Sequence, residues 1–256
     1  AFALVNGDDK RGAVMLQNCR AKKCSFSLQR MADYRARIIT NSIEGLELEI
    51  DGKQAWFRLV GDFNAYNLLS VYAAACLLGE QSDEVLTALS SLTGAAGRFE
   101  VVMPGHRFTA IVDYAHTPDA LQNVLETIDR FSTGQGQVIS VLGCGGDRDR
   151  SKRPVMAAIA CKFSDKVILT SDNPRSEDPM AIIGEMKGGI LAPDLKKTLI
   201  QPDRAEAIRT ACMLAGQGDI ILVAGKGHET YQEISGVRHP FDDREVLRQI
   251  MTSNPA

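Results

Sequence analysis

Residues 166–179 read KVILTSDNPRSEDP. Lys166 to Thr170 is a short, mostly apolar run rich in β-branched residues, closed by Asp172, Asn173 and Pro174, which are turn formers. That pattern is a buried strand running into a loop. Asp178-Pro179 then opens a helix, because proline fits a first helical turn where an N–H would have no partner. The same strand–loop–helix unit recurs on both sides. Strands are expected at 108–112, 138–142, 166–170, 198–201 and 220–224, and helices at 117–130, 152–163, 179–187 and 203–215. Such alternation implies right-handed crossovers and a mostly parallel sheet covered on both faces, a Rossmann-like α/β domain. Residues 231–234 and 237–238 around Ser235-Gly236 read as a terminal hairpin, with a helix from Asp243 onward.

The first hundred residues have a more mixed grammar. Residues 2–5 form a short apolar strand opening into Asn6-Gly7-Asp8-Asp9, and 24–28 alternate as a half-buried strand does. Residues 46–50 and 55–60 flank Asp51-Gly52, a favoured hairpin turn. GDFNAYNLLSVYAAACLLG (61–79) reads as a long apolar helix with Asp62 near its N-cap, and Ser82-Asp83 is expected to cap a second helix through Leu92. Gly94, Gly97 and Pro104-Gly105 punctuate the chain. The boundary falls near residue 100, giving one α/β domain over 1–100 and a second over 101–256.

Composition narrows the function. Among 256 residues, 29 basic and 32 acidic side chains leave a formal charge of −3, which argues against a dedicated nucleic-acid binder. No apolar run approaches the roughly 20 residues that cross a bilayer. The start, AFALVNGDDKRG, turns charged too soon for a signal peptide. It lacks a Met and begins inside an expected strand, which suggests a piece of a longer protein. Six cysteines are scattered without a CxxC pair, several in apolar runs where cysteine acts as a small hydrophobe. This disfavours a zinc site or disulfide framework and fits a reduced cytoplasm.

In an open parallel sheet, ligands bind beyond the carboxyl ends of the strands. Four expected strand ends carry polar loops: DYAHTPDA (113–120), GCGGDRDRSKRP (143–154), SDNPRSEDP (171–179) and GKGHE (225–229). Each alone reads as turn chemistry, GCGGD lacks the GxGxxG spacing, and a lone His116 or His228 is more often a satisfied polar residue than a catalyst. Together on one rim they indicate a ligand site. Arg148 and Arg175 offer planar forks for carboxylates, Asp172 and Glu229 offer acceptors for ammonium groups, and Pro174 stiffens the loop. The simplest guest is a small zwitterion with more than one carboxylate, such as an amino acid with an amino-acid group at each end.

These loops, taken with others, resemble the Mur ligases of cell-wall synthesis. VDYAHTPDAL, GCGGDRDRSKRP, SDNPRSEDP and AGKGHE match in family order; GDFNAYNLLSVYAA resembles the G-x-x-N-x-x-N helix, AAGRFE the G-R-x-E junction and VNGDD the strand-end N-x-D-D. The resemblance covers essentially the whole chain. It implies the later part of a central ATPase-type α/β domain followed by the family's C-terminal domain. DNPR implies selection of meso-2,6-diaminopimelate over lysine, with Arg175 clamping the distal carboxylate that lysine lacks. Carried over position by position, Arg148, Asp172, Asn173, Pro174, Arg175, Gly225 and Glu229 would bind diaminopimelate. Asn67, Arg98 and Asp113 would lie near the nucleotide, and His116 near its phosphates or the acyl phosphate as the catalytic candidate.

The implied reaction is ATP-dependent and ADP-forming. A glutamate carboxylate of UDP-N-acetylmuramoyl-L-alanyl-D-glutamate takes the γ-phosphate, and the amine of diaminopimelate then displaces phosphate. No general base is evident; His228 is a candidate. Domain closure is expected to hinge near 97–105. No G-x-x-x-x-G-K-[ST] loop occurs here, so the phosphate loop and the main Mg²⁺ ligands are expected outside this chain, no metal site is assigned within it, and the fragment is expected to be inactive alone. Partners are ATP, diaminopimelate and the UDP-linked dipeptide, in the cytoplasm, with no nucleic acid and no membrane. Rival readings are a lysine-adding or folylpolyglutamate synthetase-like sister ligase, a non-catalytic amino-acid-binding module, and, with no GxGxxG to support it, a nicotinamide dehydrogenase.

Overall fold

The structure is a computed structural model that describes residues 1–102, 107–131 and 136–253. The chain divides into two compact units, Ala1–Gly94 and Ala95–Ala256. Pro104 and Gly105, expected as punctuation, and with them the part of the expected hinge beyond Val102, lie outside the described residues.

The first unit runs β1 (Phe2–Asn6), α1 (Gly12–Met15), β2 (Lys22–Ser27), β3 (Tyr34–Ser42), β4 (Gly45–Ile50), β5 (Lys53–Phe57), α2 (Asp62–Leu78) and α3 (Ser82–Ser91). Its sheet has the order β1-β2-β3-β4-β5, parallel across the first three strands and antiparallel thereafter. Leu46, Leu48 and Ile50, at alternate positions of β4, pack against Leu68, Leu69 and Tyr72 of α2 and Leu86 and Leu89 of α3. Full burial of each such side chain is worth roughly 1.5–3 kcal/mol. Asp51 and Gly52 both take positive φ, +50° and +82°, the primed turn that the pair favours.

Two local features differ from expectation. β3 was not expected: Tyr34 to Ile38 alternate as a strand does, but the alternation covers only five residues before the register shift between Ile38 and Thr40 and the polar Thr40, Asn41 and Ser42. Ser82 and Asp83 do not cap α3. The cap position is Gln81, without a side-chain bond, and both residues instead receive Lys53 Nζ, at 2.8 and 2.6 Å. An amine reaching across from β5 outcompetes the helix terminus for these oxygens.

The second unit runs β6 (Glu100–Val102), β7 (Thr109–Asp113), α4 (Pro118–Phe131), β8 (Val138–Cys144), α5 (Lys152–Phe163), β9 (Lys166–Ser171), α6 (Pro179–Lys187), a 3-10 turn (Ala192–Lys197), β10 (Thr198–Ile200), α7 (Arg204–Leu214), β11 (Ile220–Ala224), a hairpin of β12 (Tyr231–Ile234) and β13 (Val237–Pro240), and α8 (Asp243–Ser253). Its sheet has the order β10-β9-β8-β11-β7-β6, with only β6 antiparallel. All seven residues of β8 are buried, as a central parallel strand requires. Ile139, Val141, Ile168, Ile221 and Val223 form the core with Ala207, Ile208 and Ala211 of α7 and Leu247 and Met251 of α8.

This topology sets up the site. β11 inserts between β7 and β8, so the loops leaving β7, β8, β9 and β11 emerge side by side on one rim. Their ends are level in register: Asp113 faces Ala224, Ala224 faces Leu142, and Cys144 faces Ser171. Arg204 locks that rim from beneath. Its guanidinium pairs with Asp243 at 2.7 and 2.8 Å and donates to the carbonyl oxygens of Ser171 and Ala224 at 3.2 and 3.1 Å, bridging the ends of β9 and β11. No described helix is long and apolar enough to cross a membrane.

Candidate functional site

A cavity of about 600 Å³ opens at the rim, and Arg148, Asp172, Asn173, Arg175, Gly225, Glu229 and His116 all line it. Four separate loops therefore converge on one hollow. Tyr114, Cys144, Lys152 and Tyr231 complete much of its wall.

The loops after β8 and β9 are fastened to each other. Gly146 donates its N–H to the Asn173 carbonyl at 2.9 Å, and Arg175 Nη1 donates to the Gly146 carbonyl at 2.7 Å. Ser176 Oγ donates to Asp147 at 2.6 Å, while the Asp147 N–H donates to Glu177 at 2.7 Å. A Cβ on Gly146 would stand 1.9 Å from the Pro174 carbonyl oxygen, so only glycine allows the approach. Pro174 thus packs behind the loop and does not line the cavity, unlike its neighbours in DNPR.

Behind this pair of loops lies Arg153, fully buried at the start of α5. Its guanidinium donates to Glu177 at 2.8 and 2.9 Å, to Glu185 at 2.7 Å and to the Gly145 carbonyl at 3.1 Å. These bonds, with the Asp147 N–H, hold the Glu177 carboxyl down at about 2.

Arg175 is held by the terminal hairpin. Its backbone takes φ +52°, an uncommon conformation for a side-chain-bearing residue. The strain is fixed by main-chain bonds on both sides: the Arg175 N–H donates to the Glu233 carbonyl at 3.0 Å, and Ser235 donates to the Arg175 carbonyl at 2.7 Å. Glu233 also places a carboxylate 3.8 Å from Arg175 Nε. Arg148, by contrast, is exposed and makes no ion pair among the described residues. One fork is rigid and the other is free to swing.

The acidic wall is equally built. Asp172 is 8% exposed, and burial pushes its carboxyl up, opposed by Arg204 and Lys226 and reinforced by Glu229 and Asp243. Asp172 Oδ1 accepts the Asn173 N–H at 2.7 Å. Asn173 Nδ2 donates to Glu229 Oε2 at 2.8 Å, while Asn173 Oδ1 accepts from Lys226 Nζ at 3.2 Å and from the Glu233 N–H at 2.9 Å. Asn173 is therefore the joint between the β9 loop, the β11 loop and the hairpin.

On the β7 side, His116 Nδ1 lies 2.9 Å from the Tyr114 carbonyl, and Lys152 Nζ donates to the His116 carbonyl at 2.7 Å. The Tyr114 ring is flanked by the Arg98 guanidinium at 4.6 Å, the His116 ring at 4.5 Å and the His228 ring at 5.1 Å. Gly97 and Gly227 pack backbone to backbone, since a Cβ on Gly97 would lie 2.1 Å from Gly227 C. Asp113 accepts the Phe99 and Ala115 N–H groups, both at 2.7 Å; burial pushes its carboxyl up against those bonds. Arg98, Asp113 and His228 do not line the cavity. Asn67 belongs to the first unit, exposed on α2, where its Nδ2 donates to Asn64 at 3.1 Å.

Arg153 and Lys226 lie within the rim loops but had no role assigned from sequence, and Glu233 lay outside those loops, although each braces the site. A buried lysine or arginine looks like any other charge in sequence, and only its neighbours reveal it. Chemically, the cations Arg148, Lys152 and Arg175 and the carboxylates Asp149, Asp172 and Glu229 in one hollow suit a guest that is anionic and cationic at once.

The fold and rim define an α/β domain with a cavity at the carboxyl ends of its parallel strands, the place where open α/β sheets bind ligands. Residues 97–227 match the family described as Mur ligase, glutamate ligase domain, and the chain belongs to that family. A relative from Cytophaga hutchinsonii named UDP-N-acetylmuramoyl-L-alanyl-D-glutamate–2,6-diaminopimelate ligase is 60% identical over 98% of this chain and 51% of its own length. One of the same name from Phocaeicola vulgatus is 54% identical over 99% of this chain and 52% of its own. The chain spans about half the length of these curated relatives. A solved structure of a ligase of that name superposes with TM-score 0.67 at 38% identity, covering 98% of this chain and 53% of the other. A folylpolyglutamate synthase structure superposes with TM-score 0.63 at 16% identity, covering 96% and 53%, and shares the fold.

Proposed function

We propose that the cavity receives meso-2,6-diaminopimelate, and that this chain is the acceptor-binding part of an ATP-dependent, ADP-forming amide ligase of peptidoglycan synthesis. The observation that carries the reading is the meeting of Arg148, Arg175, Asp172 and Glu229 in one hollow. Arg175 takes the distal carboxylate through paired charge-assisted bonds, Arg148 swings onto the other, and Asp172 and Glu229 accept from an ammonium. Asn173 and Gly225 shape the floor. The relatives' names supply the second substrate, UDP-N-acetylmuramoyl-L-alanyl-D-glutamate, whose carboxylate would be activated as an acyl phosphate.

In this reading residues 1–100 belong to the nucleotide-binding domain and 101–256 form the amino-acid-binding domain. Asn67, Arg98 and Asp113 lie toward the nucleotide, and His116 toward the phosphates. Among the described residues no three or more His, Cys, Asp or Glu are grouped to hold a metal, and the sequence has no GxxxxGK[ST] loop. In this reading the main Mg²⁺ ligands and the phosphate loop of the ligase lie outside these residues, and no step is assigned here to the ion. A UDP-linked substrate and ATP accord with a cytoplasmic setting.

Isothermal titration of the chain with meso-diaminopimelate and with lysine, each with and without an ATP analogue, tests the reading. Preference for diaminopimelate supports it. Equal affinity would favour a lysine-adding sister ligase.

A further inference from the structure

Lys226 sits at the centre of the site without lining it. It is 0% exposed, follows the left-handed Gly225 (φ +118°), and lies at the carboxyl end of β11. Its Nζ is 3.1 Å from Glu229 Oε2 and 3.2 Å from Asn173 Oδ1, and it stands 5.4 Å from the centre of the Tyr231 ring. Complete burial of an ammonium is costly unless it is paired, so its place among these residues has a reason beyond filling space.

We infer that Lys226 is a positioning residue for acceptor recognition: from behind the cavity wall it aims Glu229 and Asn173 at the incoming ammonium of the substrate. This rests on the proposed function and assigns a role to a residue that does not touch the guest. Glu229 Oε2 is tied to Lys226 and Asn173, and Oε1 accepts nothing among the described residues, so one oxygen is anchored while the other is left for the ligand. Two carboxylates lining one cavity repel each other when ionised, and a cation behind them offsets that repulsion before any substrate is present.

The charges facing this wall come from every packed element. Asp172 follows β9, Arg204 opens α7, Asp243 opens α8, Lys226 and Glu229 follow β11, and Tyr231 opens β12, while Arg148, Asp149, Lys152 and Arg175 line the cavity in front. Arg204 is already paired with Asp243 at 2.7 Å, and Lys226 is the cation in contact with Glu229, at 3.1 Å. Loss of Lys226 removes one of the two cations that oppose the upward push of burial on Asp172. Asp172 would then protonate at higher pH, and ammonium binding would weaken at higher pH.

The test is steady-state kinetics of the ligase carrying this chain, wild type against Lys226→Met and Lys226→Gln, as a function of pH. The KM for diaminopimelate is expected to rise about tenfold or more in Lys226→Met with kcat and the KM for ATP changed far less, and the acid limb of kcat/KM for diaminopimelate should move to higher pH. Lys226→Gln keeps a donor for Asn173 but no charge. It should share the pH shift with a smaller rise in KM, and it serves as the second variant should the methionine form not fold. Unchanged KM and acid limb in a folded variant, or a fall in kcat alone, overturns the inference. A wild-type enzyme indifferent to diaminopimelate would instead overturn the proposed function.

Discussion

Gly225 and Asp172 are in direct apposition: a Cβ on Gly225 would lie 2.6 Å from Asp172 Oδ2, and Gly225 holds φ +118°. The floor of the cavity is thus set by the absence of a side chain. Gly225→Ala should destabilise the protein by about 1–3 kcal/mol from backbone strain alone. It should also push the Asp172 carboxylate out of place. Denaturant unfolding reads the first effect, and the KM for diaminopimelate reads the second.

Arg175 tests the distal end. Arg175→Ala removes the fork and should cost about 2–5 kcal/mol of diaminopimelate binding, because a desolvated carboxylate is left unpaired. Arg175→Lys keeps the charge but loses the two-pronged grip and should still be damaging. Calorimetric titration of both variants checks the order: wild type tightest, then lysine, then alanine.

The pair Arg204–Asp243 is wholly buried, at 0% exposure on both sides. Removing one partner strands the other, so Arg204→Met or Asp243→Asn should each cost about 3–5 kcal/mol of stability. Replacing both by apolar residues should cost less than the sum of the single changes. Equilibrium unfolding of the four proteins measures the coupling directly.

Acid stability follows from Glu177. Its folded carboxyl is lowered from 4.5 to about 2, with the Arg153 hydrogen bonds as the first cause. A depressed folded value means that the contribution is present above about 4.5 and lost as pH falls toward about 2. Glu177→Gln should therefore be less stable than wild type at neutral pH, and the gap should close across that window. Melting temperature against pH for both proteins is the check; a gap that stays constant would exclude Glu177 as the source.

The sequence carried more of the second unit than of the first, for a physical reason. Buried parallel strands such as Ile220–Ala224 are nearly pure apolar runs, and their polar ends are abrupt, so the rim loops could be located to within a residue or two. β3 was missed because its alternation, Tyr34 to Ile38, is cut short by a register shift and a polar end at Thr40 to Ser42. The expectation that Ser82-Asp83 would cap a helix failed to a competitor thirty residues away in sequence, Lys53. Within the site, Arg148, Asp172, Arg175 and Glu229 were visible as charges beside turn formers. The brace from Glu233 and Ser235 to Arg175, and the burial of Arg153 and Lys226, depend on contacts between distant segments that no local pattern encodes.

Acceptor preference is the most direct measure of whether the hollow reads both ends of its guest. Rates of amide formation with meso-diaminopimelate and with lysine should be compared for the ligase carrying this chain, as wild type and as Arg175→Ala. A strong preference for diaminopimelate in the wild type that collapses in Arg175→Ala is the predicted result. A preference that survives loss of the guanidinium would mean that the distal end is recognised elsewhere, contrary to this account.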